Sequence, residues 1–311
     1  MTTLIIAVGS PESNQRWATV FSQLAPDWQI VCWDKVGSTV KADFAVVWRP
    51  STQLFQDQPQ LRAIFNVGAG VDGIDFTQVP ETVPVYRVED AGMAVQMAEY
   101  AVHGVSLATQ RFAPYAEQQQ HKNWKQRDPI YRHEWPVGVM GYGQIGQKVA
   151  QVLQLLGYPV SVWVRSDRPS PEGIDLFSGP QGLSDFLEQS RILINVLPLT
   201  EETRGIINKA SLAQLPAQGF VINMARGPHI VDEDLIEAID SGHLTGALLD
   251  VFHVEPLAQD HPFWSHPAIH ITPHISGVSL REPTAQQIHS KIKAFLQSEP
   301  VSGLVERDRM Y

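Results

Sequence analysis

Three side chains suited to polar chemistry stand just beyond apolar runs in the C-terminal half of the chain. They are Arg226 in Ile222-Asn223-Met224-Ala225-Arg226-Gly227, Glu255 in Asp250-Val251-Phe252-His253-Val254-Glu255-Pro256, and His274 in Thr272-Pro273-His274-Ile275. Ligands of a doubly wound sheet bind outside the carboxyl ends of its strands, so three such strands aim these residues at one crevice. Their types suit the reduction of a 2-oxo acid. A guanidinium forks onto a carboxylate and polarises the adjacent carbonyl as its oxygen gains charge. An imidazolium gives that oxygen its proton, and a carboxylate beside the ring orients it and favours its cationic form. The chain has 11 histidines, and an average one is structural. His274 is set apart by Thr272-Pro273 before it and by the company of Arg226 and Glu255. His229, His243, His253 and His289 lack that setting and read as solvated or packed.

A reduction needs a hydride donor, and the sequence offers a place for one. After Val137-Gly138-Val139-Met140 come Gly141, Tyr142, Gly143, Gln144, Ile145 and Gly146, then a helical pattern and a second β-branched run. In this G-x-G-x-x-G context the first glycine permits the turn and the second lets backbone approach a pyrophosphate. The third allows close helix packing, and the helix N-terminus supplies amide donors. An acidic residue at the end of the second strand would mark NAD; here Val164 is followed by Arg165-Ser166-Asp167-Arg168. Two guanidiniums and the Ser166 hydroxyl suit a 2'-phosphate, so NADPH is the expected cofactor and NAD a possible one. The competing reading leaves Arg165 and Arg168 as solvated loop charges and gives the acidic role to Asp167.

The elements that must position these residues are two series of short β-branched runs alternating with helical periodicity, the signature of parallel α/β architecture. The first series is expected at 4–8, 29–33, 44–48, 63–67 and 83–87. The second, a six-strand set, is expected at 137–140, 160–164, 192–197, 220–224, 247–251 and 269–272. Long helical patterns at about 93–111 and 283–297 follow the two series. Residues 121–136, with Trp124, Tyr131 and Trp135 among polar neighbours, fit neither helix nor core strand; they read as an arm toward another subunit or as a packed loop.

Length and composition set outer bounds. A chain of 311 residues exceeds one ordinary core and suggests two domains. A formal net charge of -10 without a basic block argues against nucleic acid or an anionic membrane as partner, and favours a small metabolite. The single cysteine, Cys32, excludes an internal disulfide, and no His or acidic cluster has metal spacing. No apolar stretch approaches the roughly 20 residues that span a bilayer. A soluble, cytoplasmic protein is expected.

With these residues in place, the chain resembles the D-isomer-specific 2-hydroxyacid dehydrogenase family. The order Arg226, Glu255, His274 carries the resemblance, with Gly68-Ala69-Gly70-Val71-Asp72, Ala98-Glu99, Leu197-Pro198-Leu199-Thr200 and Ala247-Leu248-Leu249-Asp250-Val251. Trp48, Asn123-Trp124, the 165–168 loop and Phe263-Trp264-Ser265-His266-Pro267 place it nearest the branch acting on glyoxylate and hydroxypyruvate. The resemblance implies two Rossmann-like doubly wound domains, with a dinucleotide-binding domain at 98–283 inserted in a flavodoxin-like substrate domain of 1–97 plus 284–311. It implies a homodimer and NADPH-dependent reduction of a small 2-oxo acid, glyoxylate to glycolate or hydroxypyruvate to glycerate. It puts substrate-binding amides at Ala69 and Gly70 beside Arg226, and Trp48 as a cap on the pocket. Leu197, Pro198, Met224 and Ala225 would lie along the cofactor, with Asp250 near the nicotinamide carboxamide. Asp167 inside the basic loop departs from the pattern and weakens the NADPH preference.

Two other functions fit the same residues. A phosphoglycerate-type dehydrogenase would need an additional phosphate site. A non-catalytic NAD(P)-sensing protein would need a partner-binding groove or tail, since fold does not fix function.

Overall fold

The computed structural model describes residues 1–34, 40–110 and 112–307. The chain divides into two compact units, Met1–Met93 with Ser279–Tyr311, and Ala94–Val278.

The first unit is built on β1 (Thr3–Ala7), β2 (Gln29–Cys32), β3 (Phe44–Val47), β4 (Ala63–Asn66) and β5 (Val85–Arg87). These form a parallel sheet in the order β2-β1-β3-β4-β5. Every residue of β1, β3 and β4 is buried, as expected of strands covered on both faces, so the runs are continuously apolar rather than alternating. One face is covered by Trp17, Ala18 and Phe21 of the helix Pro11–Leu24 and by Ala285, Ile288 and Ile292 of the helix Arg281–Leu296. Ser10 starts the former by accepting a hydrogen bond from the Ser13 amide.

The second unit contains β6 (Val137–Met140), β7 (Val160–Val164), β8 (Asp175–Ser178), β9 (Ile192–Asn195), β10 (Gly219–Asn223), β11 (Leu244–Leu249) and β12 (Ile269–Ile271). Their order is β12-β11-β10-β9-β6-β7-β8, all parallel. The strand order reverses between β6 and β9, which makes their carboxyl ends the switch point where such sheets bind ligands.

The sheet has seven strands where six were expected. The extra one, β8, reads Asp175-Leu176-Phe177-Ser178, pairs only with β7 and leaves Asp175 exposed; an edge strand needs no apolar run. β9 ends two residues early, because Asn195 turns its side-chain oxygen onto the Leu197 amide and stops the ladder. β11 begins earlier than its apolar run, since Gly246 interrupts the run where a Cβ would strike the Ala268 carbonyl. The long helix runs Met93–Gln110, and Arg111 lies outside the described residues. Within 121–136 the regular structure is one 3-10 turn, Arg132–Glu134. Trp135 is buried there with the Arg191 guanidinium 3.8 Å over its ring, while Trp124 is fully exposed. Among the described residues no helix is long and apolar enough to cross a membrane.

Candidate active site

The glycine turn follows β6 directly. Gly141 has φ +102, in the region that only glycine enters without strain. A Cβ on Gly146 would run into the Gly141 carbonyl, so the helix Gln144–Leu155 can rest on the turn only through glycine. Among the described residues, nothing beyond the chain neighbours lies within 4 Å of where a Cβ on Gly143 would stand, which leaves room for a ligand at the N-terminus of that helix. The exposed 165–168 loop leaves the end of the adjacent strand β7. Its Arg168 bends back over the turn: one guanidinium nitrogen donates to the Tyr142 carbonyl at 2.6 Å and the group lies 4.6 Å from the Tyr142 ring. Asp167 accepts a hydrogen bond from Ser178 at 3.1 Å. The turn therefore meets a cation, while the one carboxylate of the loop is engaged elsewhere. These glycines and this cation fit a phosphorylated dinucleotide.

Beyond β9 and β10 lie the segments 197–198 and 224–226. Leu197, Met224 and Ala225 are buried and Pro198 is exposed. Arg226 is half-buried and donates from one guanidinium nitrogen to the Ala225 carbonyl at 2.7 Å. The next residue, Gly227, packs so tightly on the backbone of Phe252 and His253 that any Cβ would overlap it. That contact brings the Arg226 turn against the loop carrying Glu255.

Two loops meet beyond β11 and β12. Asp250 is fully buried, and its carboxylate accepts from Thr272 Oγ1 (2.6 Å), the Ile275 amide (2.8 Å) and the Ser276 amide (2.8 Å). Its backbone carbonyl accepts from the His274 amide at 2.8 Å. Tyr100 extends the network through a hydrogen bond with Thr272, and burial pushes its phenol well above the usual tyrosine range. Held in this way, His274 adopts φ +55, a strained conformation for a residue with a side chain. Its Nδ1 lies 2.8 Å from Glu255 Oε2, and Glu255 Oε1 accepts from the Phe252 amide at 3.1 Å. The two side chains are about one-third and one-quarter exposed (35% and 25%), so the pair is ordered yet reachable.

In the first unit, Trp48 and the turn 68–70 leave neighbouring strand ends. The Trp48 ring lies where a Cβ on Gly68 would be, so the two pack together. Asn66, buried at the end of β4, donates from Nδ2 to the carbonyls of Gly68 (3.0 Å) and Gly70 (2.8 Å). With its carbonyls drawn inward, the turn has no acceptor among the described residues for the amides of Ala69 and Gly70.

Several residues that build this geometry were not singled out from the sequence: Asn66, Asn195, Asn223 and Tyr100; His229, read there as solvated or packed, is fully buried. One signal was present, since β4, β9 and β10 each end an apolar run on a buried asparagine. Among the described residues no group of three or more His, Cys, Asp or Glu is placed to hold a metal.

Comparison with known proteins agrees with this geometry. Residues 104–276 match the family model described as D-isomer specific 2-hydroxyacid dehydrogenase, NAD binding domain. A glyoxylate/hydroxypyruvate reductase A of Klebsiella pneumoniae is 41% identical over 304 residues, covering 96% of both chains. Among solved structures, a D-isomer specific 2-hydroxyacid dehydrogenase of Xanthobacter autotrophicus in complex with NADPH and MES superposes with TM-score 0.91 at 32% identity, over 100% of this chain and 99% of that one. An NADPH-dependent glyoxylate/hydroxypyruvate reductase of Sinorhizobium meliloti in complex with NADP and sulfate superposes with TM-score 0.92 at 29% identity, over 100% of both chains.

Proposed function

The chain belongs to the D-isomer specific 2-hydroxyacid dehydrogenase family, and we propose that it reduces a small 2-oxo acid, glyoxylate or hydroxypyruvate, with NADPH as hydride donor. The observation that carries this reading is the His274–Glu255 pair, held at 2.8 Å beside the Arg226 turn and beyond the ends of the strands that follow the glycine turn.

The residues divide the work by chemistry. Arg226 forks onto the substrate carboxylate and polarises the 2-oxo group, countering the charge that grows on its oxygen. The amides of Ala69 and Gly70 would also bind the substrate carboxylate, and Trp48 would limit the size of the substituent. With Nδ1 of His274 engaged by Glu255, Nε2 is the nitrogen that gives its proton to the carbonyl oxygen. A bound reduced nicotinamide supplies the hydride that the carbonyl carbon takes up. The products would be one 2-hydroxy acid, the oxidised nicotinamide and a neutral His274, which regains its proton from solvent. Glu255 orients the ring throughout. Gly141, Tyr142, Gly143, Gln144, Ile145 and Gly146 would hold the pyrophosphate. Arg165, Ser166 and Arg168 would hold the 2'-phosphate, with Leu197, Pro198, Met224, Ala225 and Asp250 along the rest of the cofactor.

The working form is a homodimer in the cytoplasm. The apolar groove on the second unit, lined by Val95, Ala98, Val102 and Val152 with Glu99 and Lys148 at its edge, supports a second copy there, as do the exposed Trp124 and Tyr131.

The test is oxidation of NADPH, and separately of NADH, by the purified chain with glyoxylate or hydroxypyruvate, with the product identified by chromatography. Glycolate or glycerate formed in step with NADPH loss is the expected result. Cofactor loss without either product, or a clear preference for NADH, would overturn the reading.

A further inference from the structure

The ends of β9 and β10 are joined by a closed ring of hydrogen bonds through three fully buried polar residues, Asn195, Asn223 and His229. Asn195 Oδ1 accepts from the Leu197 amide at 3.1 Å and its Nδ2 donates to Asn223 Oδ1 at 3.0 Å. Asn223 Oδ1 also accepts from the Ala225 amide at 3.1 Å, and Nδ2 donates to the Arg226 carbonyl at 2.9 Å. The imidazole of His229 comes next, with Nδ1 3.1 Å from the Arg226 carbonyl and Nε2 3.2 Å from the Pro198 carbonyl. Pro198 follows Leu197, so the ring is complete.

A buried polar ring is costly unless each member is satisfied, and this one connects the segment carrying Arg226 to the segment assigned to the cofactor side. Both groups facing the imidazole are acceptors. A neutral ring has one N–H and donates to one of them, whereas only an imidazolium would donate to both. Burial, reinforced by the nearby Arg226 and Arg204 cations, holds His229 below the usual histidine value against the pull of the two carbonyls. The neutral ring is therefore the form near pH 7, and its single proton has one carbonyl to serve. Each carbonyl has another donor, Thr203 Oγ1 on Pro198 at 2.8 Å and Asn223 Nδ2 on Arg226 at 2.9 Å, and the imidazole contact to Arg226 is the shorter of the two.

We propose that His229 is a positioning residue for Arg226: its Nδ1–H fixes the backbone carbonyl from which the guanidinium reaches the substrate carboxylate, and its contact with Pro198 ties that backbone to the cofactor-side loop. This rests on the assignment of Arg226 to the carboxylate. A guanidinium fork tolerates little misplacement, so a loosened backbone reduces affinity and rate even when the fold is intact.

The test compares three replacements, each with KM and kcat for glyoxylate, NADPH affinity by protein fluorescence, and thermal melting. His229→Asn keeps a donor near Nδ1, His229→Gln keeps one near Nε2, and His229→Leu keeps neither. We expect the Leu variant to raise KM for glyoxylate by roughly 10-fold, the scale of a lost buried hydrogen bond, with NADPH affinity little changed. Asn should restore most of the loss and Gln should not. In an Arg226→Ala background, His229→Leu should add no further loss in kcat/KM. Equal KM values for the Asn and Gln variants, or additive losses in the double variant, would overturn the proposal. If the Leu variant does not melt cooperatively, the Asn and Gln pair decides alone. If Arg226→Ala by itself leaves kcat/KM unchanged, the role of Arg226 fails and this inference with it. An impaired Arg226→Ala beside three unimpaired His229 variants sinks only the inference.

Discussion

Arg226 and Arg168 are both cations near a site for anions, yet their assigned tasks separate in kinetics. Replacing Arg226 with Ala removes the carboxylate fork and the polarisation of the carbonyl together, so KM should rise and kcat fall. The combined loss in kcat/KM should be on the order of 100-fold or more. Initial rates over a glyoxylate series measure it, and an unchanged kcat/KM would remove Arg226 from the mechanism. Arg168 lies against the glycine turn, stacked on Tyr142 and bonded to its carbonyl, and its proposed role is on the cofactor side. Arg168→Ala should therefore weaken NADPH binding by about 10-fold, the worth of one charge-assisted hydrogen bond, and leave NADH binding near its original value. Equal losses for both cofactors would mean that Arg168 serves the turn rather than a phosphate. At this scale the sequence was most readable where a residue has a chemical type and a flanking word. The glycine turn and the contact between Glu255 and His274 were legible in that way. Asn66, Asn195, Asn223 and His229 act by holding backbone, and a buried asparagine closing a strand carries no chemical label in a single sequence.

The elements were legible to the extent that both faces of a strand are buried. β1, β3, β4, β6, β7, β9 and β10 are buried throughout and stand out as β-branched runs. β8 escaped notice because an edge strand paired on one side keeps polar residues. The loop after β12 was located by His274, but its shape was not legible, because it is set by Asp250, more than 20 positions upstream. Removing that carboxylate by Asp250→Ala leaves the Thr272 hydroxyl and the amides of Ile275 and Ser276 without their acceptor. The expected cost is about 2–3 kcal/mol or more in denaturant unfolding, since each orphaned buried group is penalised. A loss of kcat should accompany it, because Asp250 holds the loop on which His274 adopts φ +55. A variant of wild-type stability would show that the network is incidental.

Across the whole molecule, the chain leaves the first unit at Met93 and returns to it at Ser279, so that unit depends on its C-terminal segment to close. Lys291, almost fully buried, donates to the Arg87 carbonyl (3.0 Å), Glu89 (3.2 Å) and the Ser302 carbonyl (2.7 Å), and Ser302 donates to Glu89 at 2.6 Å. Burial alone would raise the Glu89 carboxyl, but the hydrogen bonds from Ser302 and Lys291 outweigh it and hold the group below the usual carboxylate value. A depressed acid contributes stability that is present above its unfolded value and lost as pH falls through its folded value. Melting of the first unit should thus fall with acidification below about pH 4.5, and Glu89→Gln should flatten that dependence while lowering the melting temperature at neutral pH by a few degrees. An unaltered acid limb in the variant would place the effect elsewhere. Assembly is tested separately by light scattering, which should give twice the 34.6 kDa chain mass, with Val95→Glu shifting it toward one.

If His274, oriented by Glu255, gives the proton that completes hydride reduction of a 2-oxo acid, the turnover of His274→Ala with NADPH and glyoxylate at saturation shows it. Its kcat should fall by about 100-fold or more, the usual contribution of a positioned general acid, while NADPH affinity and melting temperature stay near those of the unaltered chain. Undiminished kcat in a folded, NADPH-binding variant would contradict it.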